Sequence, residues 1–174
     1  MAHSIELLLD EHSDAAIRAQ WRALADAGLP SQARVTSPTN RPHITLLAAG
    51  KISADVDETL RALSDRLPFD CVIGAPLVFG GHSMTLARLI VPSADLLDLH
   101  AEVYRRTLPY LAGEPFGHCR PGRWTAHATL GRRFEADEIG PALAALGDGA
   151  DLDSRIVGMR RWDSDQRIDQ ILIG

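Results

Sequence analysis

Apolar residues three and four positions apart predict four helices. The clearest covers 14–27, because its apolar residues share one face and a glycine follows. Those residues are Ile17, Trp21, Leu24 and Ala27, with Gly28 as the stop. The same spacing predicts helices over 53–67, 93–111 and 137–146. Pro109 requires that the third of them kinks or ends early.

Short apolar runs between turn residues predict the strands. They lie at 5–9, 44–47, 69–73, 77–79, 84–91, 124–130, 155–162 and 168–173. We expect Gly74 and Pro76 to separate the third run from the fourth. The longest loops cover 30–42 and 113–122. Antiparallel strands mixed with helices in this order indicate an α+β fold rather than a doubly wound parallel sheet.

One four-residue motif occurs twice, 84 positions apart. Its copies are His43-Ile44-Thr45-Leu46 and His127-Ala128-Thr129-Leu130. The composition predicts only about 0.3 His-x-Thr triplets by chance. Each copy follows a helix and a loop rich in proline and glycine, so we expect a single domain over 1–174 made of two pseudo-symmetric lobes, with one motif in each half.

Side chains alternate faces along a strand, so the histidine and threonine of each motif point the same way. If the two strands meet at a groove, two imidazoles and two hydroxyls surround one small volume. Phosphodiester hydrolysis needs this set: one group takes a proton from water, another protonates the leaving oxygen, and donors hold the phosphoryl oxygens. Arg132 is a further candidate phosphate ligand, and Arg41 is a weaker one.

Charge and composition narrow the class of ligand. The chain has 18 Lys and Arg against 23 Asp and Glu, a net charge of −5, so it lacks the basic surface that tracks long nucleic acid. A nucleotide or an RNA terminus is the better fit. No clustered Cys/His spacing indicates zinc, and we expect no metal, no other cofactor and no obligate protein partner. The N-terminal residues lack the features of a secretion signal, and no apolar run approaches membrane-spanning length, so we expect a cytoplasmic protein with no membrane association.

The two motifs resemble the paired signatures of the 2H phosphoesterase superfamily and are closest to its bacterial 2′-5′ RNA ligase-like branch. Arg41-Pro42 before the first motif, Gly131-Arg132 after the second and the closing Trp162-Asp163-Ser164 fit as well. The resemblance spans nearly the whole chain. It implies a bilobal α+β fold, with two antiparallel sheets flanked by helices and the active cleft between the lobes. Ala128 and Gly131 are smaller than the residues that relatives often carry.

The resemblance also implies an activity, the metal-independent hydrolysis of 2′,3′-cyclic phosphates of nucleotides or RNA ends to 2′-phosphates. His43 would protonate the leaving 3′ oxygen and His127 would activate water, although these roles could be reversed. Thr45, Thr129 and Arg132 would hold the phosphate. Two alternatives stay open: a nucleotide- or RNA-end-binding module with little turnover, and ligation or cleavage of 2′-5′ linkages.

Three residues near the second motif each allow a functional and a structural interpretation. His118 could hold a base or ribose at the mouth of the cleft, or be an exposed loop histidine. Phe116 and Trp124 could stack on a base, or be buried in the core. We interpret the four remaining histidines as structural or surface residues: His3, His12, His82 and His100.

Overall fold

The computed structural model describes residues 2–174, which form seven strands and four α-helices with short 3-10 turns between them. The strands are β1 (His3–Leu9), β2 (His43–Ala49), β3 (Phe69–Phe79), β4 (Met84–Ile90), β5 (His127–Phe134), β6 (Leu152–Asp163) and β7 (Ile168–Ile173). The helices are α1 (Glu11–Asp26), α2 (Val56–Arg61), α3 (Ala94–Thr107) and α4 (Ile139–Ala145). Within these described residues, no helix is both long enough and apolar enough to cross a bilayer.

The strands are hydrogen-bonded into one antiparallel sheet in the order β1-β2-β5-β4-β3-β6-β7, and β1 also pairs with β6. The α+β class is therefore confirmed, but the two sheets that we expected are joined. They join because β6 is twelve residues long, so that its first part pairs with β3 and its second part with β7 while its other edge pairs with β1. The strands from β1 to β6 close into a ring, and β7 lies outside it.

Each motif strand is covered by a helix from the other half of the chain. Helix α1 packs against β5, the strand of the second motif, and also contacts β6 and α4. Helix α3 packs against β2, the strand of the first motif, while α2 contacts α3 and β7. The apolar faces predicted for the first two helices are buried except at Ala27, which is exposed just after α1. The buried residues include Ile17 in α1 and Val56 and Leu60 in α2. This exchange of helices ties the two halves together.

Several predicted boundaries move for local reasons. Helix α1 starts at Glu11, earlier than predicted, because the Asp10 carboxylate accepts a hydrogen bond from the Ser13 backbone N–H and caps it. Helix α2 is shorter than the predicted 53–67, since its end tightens into a 3-10 turn. Helix α3 ends at Thr107, so Pro109 lies in a following 3-10 turn and ends the helix early rather than kinking it.

The predicted break between 69–73 and 77–79 is wrong. β3 runs continuously through Gly74 and Pro76, and its register against β4 shifts between Ile73 and Pro76. A bulge of this kind absorbs a proline that cannot donate to the ladder. The second motif strand also differs from its prediction, because β5 begins at His127 and continues to Phe134.

Candidate active site

The two motifs meet where β2 and β5 pair. The register sets Ile44 opposite Ala128 in antiparallel orientation. Both residues directly follow their motif histidine, so antiparallel geometry puts each histidine next to the threonine of the other motif. Ile44 and Ala128 point into the core, with exposures of 0% and 1%, and alternation turns His43 and His127 to the opposite face.

Both motif histidines are held in the same way. Nδ1 of His43 lies 2.7 Å from the carbonyl oxygen of Arg41, and Nδ1 of His127 lies 2.7 Å from that of Thr125. A carbonyl oxygen can only accept, so each Nδ1 is the protonated donor. Each ring therefore presents Nε2 for chemistry, as a lone pair when neutral and as an N–H when cationic.

Both histidines line one cavity of about 620 Å³, within the size range of small-molecule sites. Of the predicted phosphate ligands, Thr45 and Arg132 line it as well. Thr129 is 9% exposed and is not part of the described cavity wall. Arg41 contributes its carbonyl to His43 rather than its guanidinium to the cavity. Apart from the histidines, the ionisable side chains in the wall that carry a charge at neutral pH are those of Glu6, Arg123, Arg132 and Arg160.

The surroundings of His127 favour its neutral form. Burial lowers its pKa most, and the Arg132 guanidinium and the other nearby imidazoles, His43 and His118, lower it further against the opposing effect of the hydrogen bond to Thr125. The ring of Phe79 packs edge-on at 4.6 Å between centroids. A neutral Nε2 lone pair in this place can accept a proton from water.

Sequence reasoning missed a carboxylate beside the other histidine. Glu6 of β1 is 4% exposed, and its Oε1 lies 3.6 Å from Nε2 of His43. Ser4 donates to Oε1 at 2.6 Å, and Nε of Arg160 donates to Oε2 at 2.8 Å. Burial alone would raise the pKa of Glu6, but His43, Arg160 and these hydrogen bonds hold it below its ordinary value. The signal was a single acidic residue inside the predicted apolar run 5–9.

Two tryptophans hold the motif backbones, which the sequence also did not reveal. The indole N–H of Trp21 donates to the carbonyl oxygen of Thr129 at 3.0 Å, and that of Trp124 donates to the carbonyl oxygen of Thr45 at 2.9 Å. Trp124 is stacked on His100 of α3, with ring centroids 3.9 Å apart and 3° between the planes. Each motif threonine is thus fixed by an indole.

The structure locates the three residues near the second motif for which two interpretations were open. Phe116 and His118 are exposed and both line the cavity. Trp124 is half-buried and has one face covered by His100, yet it also lines the wall. Burial lowers the pKa of His100, whose Nε2 lies 2.9 Å from the carbonyl oxygen of Cys119.

Within residues 2–174, one group of His and acidic side chains is close enough together to be considered for a metal: His3, Asp163 and Asp165. None of the three lines the cavity. Nδ1 of His3 accepts the backbone N–H of Ile52 at 3.4 Å, which leaves the proton on Nε2, the nitrogen that faces the carboxylates. In this tautomer Nε2 donates to the carboxylates, so these contacts fit a structural histidine.

Comparison with known proteins gives one family and several similar folds. The family model of the 2′-5′ RNA ligase superfamily matches residues 11–166. No curated protein matches in sequence. The structure of E. coli LigT complexed with 3′-AMP is similar at a TM-score of 0.56 and 15% identity, over 97% of this chain and 91% of that one.

Two further solved structures have the same fold. Kluyveromyces marxianus Usb1 with uridine monophosphate matches at a TM-score of 0.55 and 12% identity, over 99% of this chain and 98% of that one. A structure described as a phosphoesterase matches at 0.55 and 19% identity, over 97% of this chain and 92% of that one. With the family model covering most of its length and both motifs at one cavity, the chain belongs to the 2′-5′ RNA ligase superfamily of 2H phosphoesterases.

Proposed function

We propose that this protein is a metal-independent phosphodiesterase that hydrolyses 2′,3′-cyclic phosphates of nucleotides or RNA ends to 2′-phosphates. The observation that carries the proposal is the matched pair of histidines, each with Nδ1 engaged by a carbonyl oxygen and Nε2 left for the cavity. Two imidazoles of this kind supply an acid and a base near neutral pH.

The proposed mechanism uses both histidines. Nε2 of His127 takes a proton from water as the water oxygen attacks phosphorus. Nε2 of His43 gives a proton to O3′ as the P–O3′ bond breaks, so the product carries a 2′-phosphate and a free 3′ hydroxyl. Thr45 and Arg132, which line the cavity, hold the non-bridging oxygens, and solvent then returns both histidines to their starting protonation.

The charge and size of the cavity support a nucleotide-sized substrate. Its wall carries Arg123 and Arg132, while Arg160 is paired with Glu6, the single carboxylate in the wall, in a chain whose net charge is −5. This concentrates positive potential where a phosphate would bind. E. coli LigT has been solved with 3′-AMP and with NADP+, and Kluyveromyces marxianus Usb1 with uridine monophosphate, which also supports a nucleotide.

The test is hydrolysis of the four nucleoside 2′,3′-cyclic monophosphates with EDTA present. We expect turnover to survive EDTA, to give the 2′-phosphate, and to fall by about 10²–10⁴-fold in His43→Ala and in His127→Ala. His82→Ala is the matched control, because His82 is exposed and lies outside the cavity wall. Its rate should equal that of the wild type.

Other outcomes separate the alternatives. Loss of turnover in EDTA, restored by a divalent cation, would overturn the metal-independent mechanism. Binding of a nucleoside 2′-phosphate without turnover of any cyclic substrate would favour the binding module. Consumption of a linear 2′-5′ dinucleotide in preference to the cyclic phosphates would favour cleavage of 2′-5′ linkages.

A further inference from the structure

The two motif threonines differ in their access to the cavity. Thr45 of the first motif lines the wall, whereas Thr129 of the second motif is 9% exposed and is not part of the described wall. A phosphate that is held from both sides therefore needs another donor on the side of β5. The neighbouring strand β4 offers one, because Thr85 lines the cavity as well.

A bulge in β5 turns Arg132 toward the cavity. The register of β5 against β4 contains one extra residue on β5, at Leu130. Arg132 is five positions beyond His127, an odd number that would put the two side chains on opposite faces of a regular strand. The extra residue restores the common face, and both side chains line the cavity.

Thr85 lies directly opposite Arg132 in this register. Opposite residues of an antiparallel pair point to the same face, with Cβ atoms about 4.5–5.5 Å apart, so the hydroxyl and the guanidinium can reach one anion together. Among the side-chain hydrogen bonds and ion pairs formed within residues 2–174, none involves either side chain. Both are therefore free to donate to a ligand.

The corresponding place in the first half of the chain lacks such a pair. β2 has a bulge at the same point of its motif, so Ala48 takes the place of Arg132. Ser4 lies opposite Ala48 and takes the place of Thr85. The Ser4 hydroxyl already donates to Oε1 of Glu6 at 2.6 Å, and an alanine has no donor in its side chain.

Two arginines of the cavity wall lie on strands, and one of them is already engaged. Arg160 of β6 donates to the carboxylates of Glu6 and Asp169 and to the carbonyl oxygen of Thr39. The Glu6 carboxylate beside it also repels an anion. The strand residues with donors to spare for a phosphate are thus those of β4 and β5.

We propose that Thr85 is a substrate-binding residue, whose hydroxyl holds a non-bridging oxygen of the phosphate together with the Arg132 guanidinium. This inference rests on the proposed function, and it gives Thr85 the contact that the motif pattern predicts for Thr129. Thr85 donates a hydrogen bond and exchanges no proton with the substrate.

The test is the binding of the four nucleoside 2′-monophosphates, the products of the proposed reaction, measured by isothermal titration calorimetry. Thr85→Val keeps the shape of the side chain and removes the hydroxyl. The dissociation constant of the tightest of the four ligands should therefore rise by about tenfold, as expected for the loss of a hydrogen bond to a charged group. Thr85→Ala should show the same loss, and Thr85→Ser, which keeps the hydroxyl, should retain most of the affinity.

Ser83→Ala is the matched control. Ser83 carries an exposed hydroxyl just before β4 and lies outside the described cavity wall, so its loss should leave the affinity unchanged. Wild-type affinity in Thr85→Val would overturn the inference. An equal loss in Thr85→Ser would also overturn it, because the shape of the side chain rather than its hydroxyl would then be the cause. So would a wild type that binds none of the four ligands.

Kinetics separate the inference from the proposed function. If the wild type hydrolyses the cyclic phosphates and Thr85→Val leaves kcat/KM unchanged, the role of Thr85 is refuted while the proposed activity stands. If the wild type hydrolyses none of them, yet its affinity for a nucleoside 2′-phosphate depends on the Thr85 hydroxyl, the proposed activity alone is refuted.

Discussion

Ile44 lies opposite Ala128 where β2 pairs with β5, and this residue pair joins the two motif strands. Both side chains are buried, so the junction belongs to the core while the histidines one residue earlier face the cavity. Packing inside the protein therefore sets the distance between the two motif histidines.

The pH profile should reveal the lowered pKa of His127. The proton acceptor works when neutral, so activity should rise with pH through that pKa, at a value below the ordinary 6.5 or so of imidazole. Arg132→Met removes one of the cations that lower it, so the acidic limb of kcat should move to higher pH. The shift should stay below about one unit, because exposed charges are screened. KM should rise too.

Arg133→Met is the control for that experiment. Arg133 is an exposed neighbour that lies outside the described cavity wall. The acidic limb of kcat for Arg133→Met should match that of the wild type. An equal shift in both variants would mean that the overall charge of the protein, rather than the position of Arg132, lowers the pKa of His127.

The indole donors should matter for both stability and rate. Trp21→Phe deprives the buried Thr129 carbonyl of its donor, and Trp124→Phe does the same to Thr45. Each should lower the free energy of unfolding by about 1–3 kcal/mol, measured by chemical denaturation, and should reduce turnover because the motif strand loses an anchor. Trp162→Phe removes an indole that is bonded to neither motif threonine in the described structure, so it should lower the free energy of unfolding by less.

Two glycine-to-alanine substitutions should change the stability of the protein in opposite directions. A Cβ on Gly131 would clash with the Pro30 carbonyl oxygen and come within 2.8 Å of the Phe134 ring, whereas one on Gly140 of α4 meets nothing within 4 Å. Gly131→Ala should destabilise the protein by about 1–3 kcal/mol, and Gly140→Ala should stabilise it by about 0.4–1 kcal/mol. Thermal unfolding of both variants checks the pair. Equal melting temperatures would contradict the contact that explains the small residue after the second motif.

Arg88 should be a structural arginine. It is 2% exposed and donates to backbone carbonyl oxygens, among them Gly74 at 2.6 Å and Ala150 at 2.7 Å. Arg88→Met would leave these acceptors unpaired, so the free energy of unfolding should fall by about 2–4 kcal/mol while the KM of the folded fraction stays unchanged. Arg155→Met, at an exposed arginine of β6, serves as the comparison and should cost far less.

The sequence predicted the residues of the candidate site that belong to the repeated motif, but not the residues that occur once. His43 and His127 are predictable because the motif recurs, and strand alternation gives their common face. Glu6 was missed because it lies within the short apolar run 5–9 and because its partner Arg160 is 154 positions away. Periodicity carries no information about such a distant pair.

The same limit explains the errors in the fold. Helix faces follow from local spacing, so those of α1 and α2 were predicted correctly apart from Ala27 at the end of the first. The choice of the strand that each helix covers depends on the ring of strands, and the continuity of β3 depends on a bulge near Pro76. Both are settled by partners far along the chain.

The ring of strands has a consequence for biosynthesis. β1, which carries Glu6, pairs with β6, which carries Arg160, so during synthesis β1 must wait for this partner until the ribosome has released β6. Contacts of such long range slow folding. The buried ion pair between Glu6 and Arg160 can therefore form only after β6 has emerged, and until then one edge of β1 is unpaired and exposed to other nascent chains.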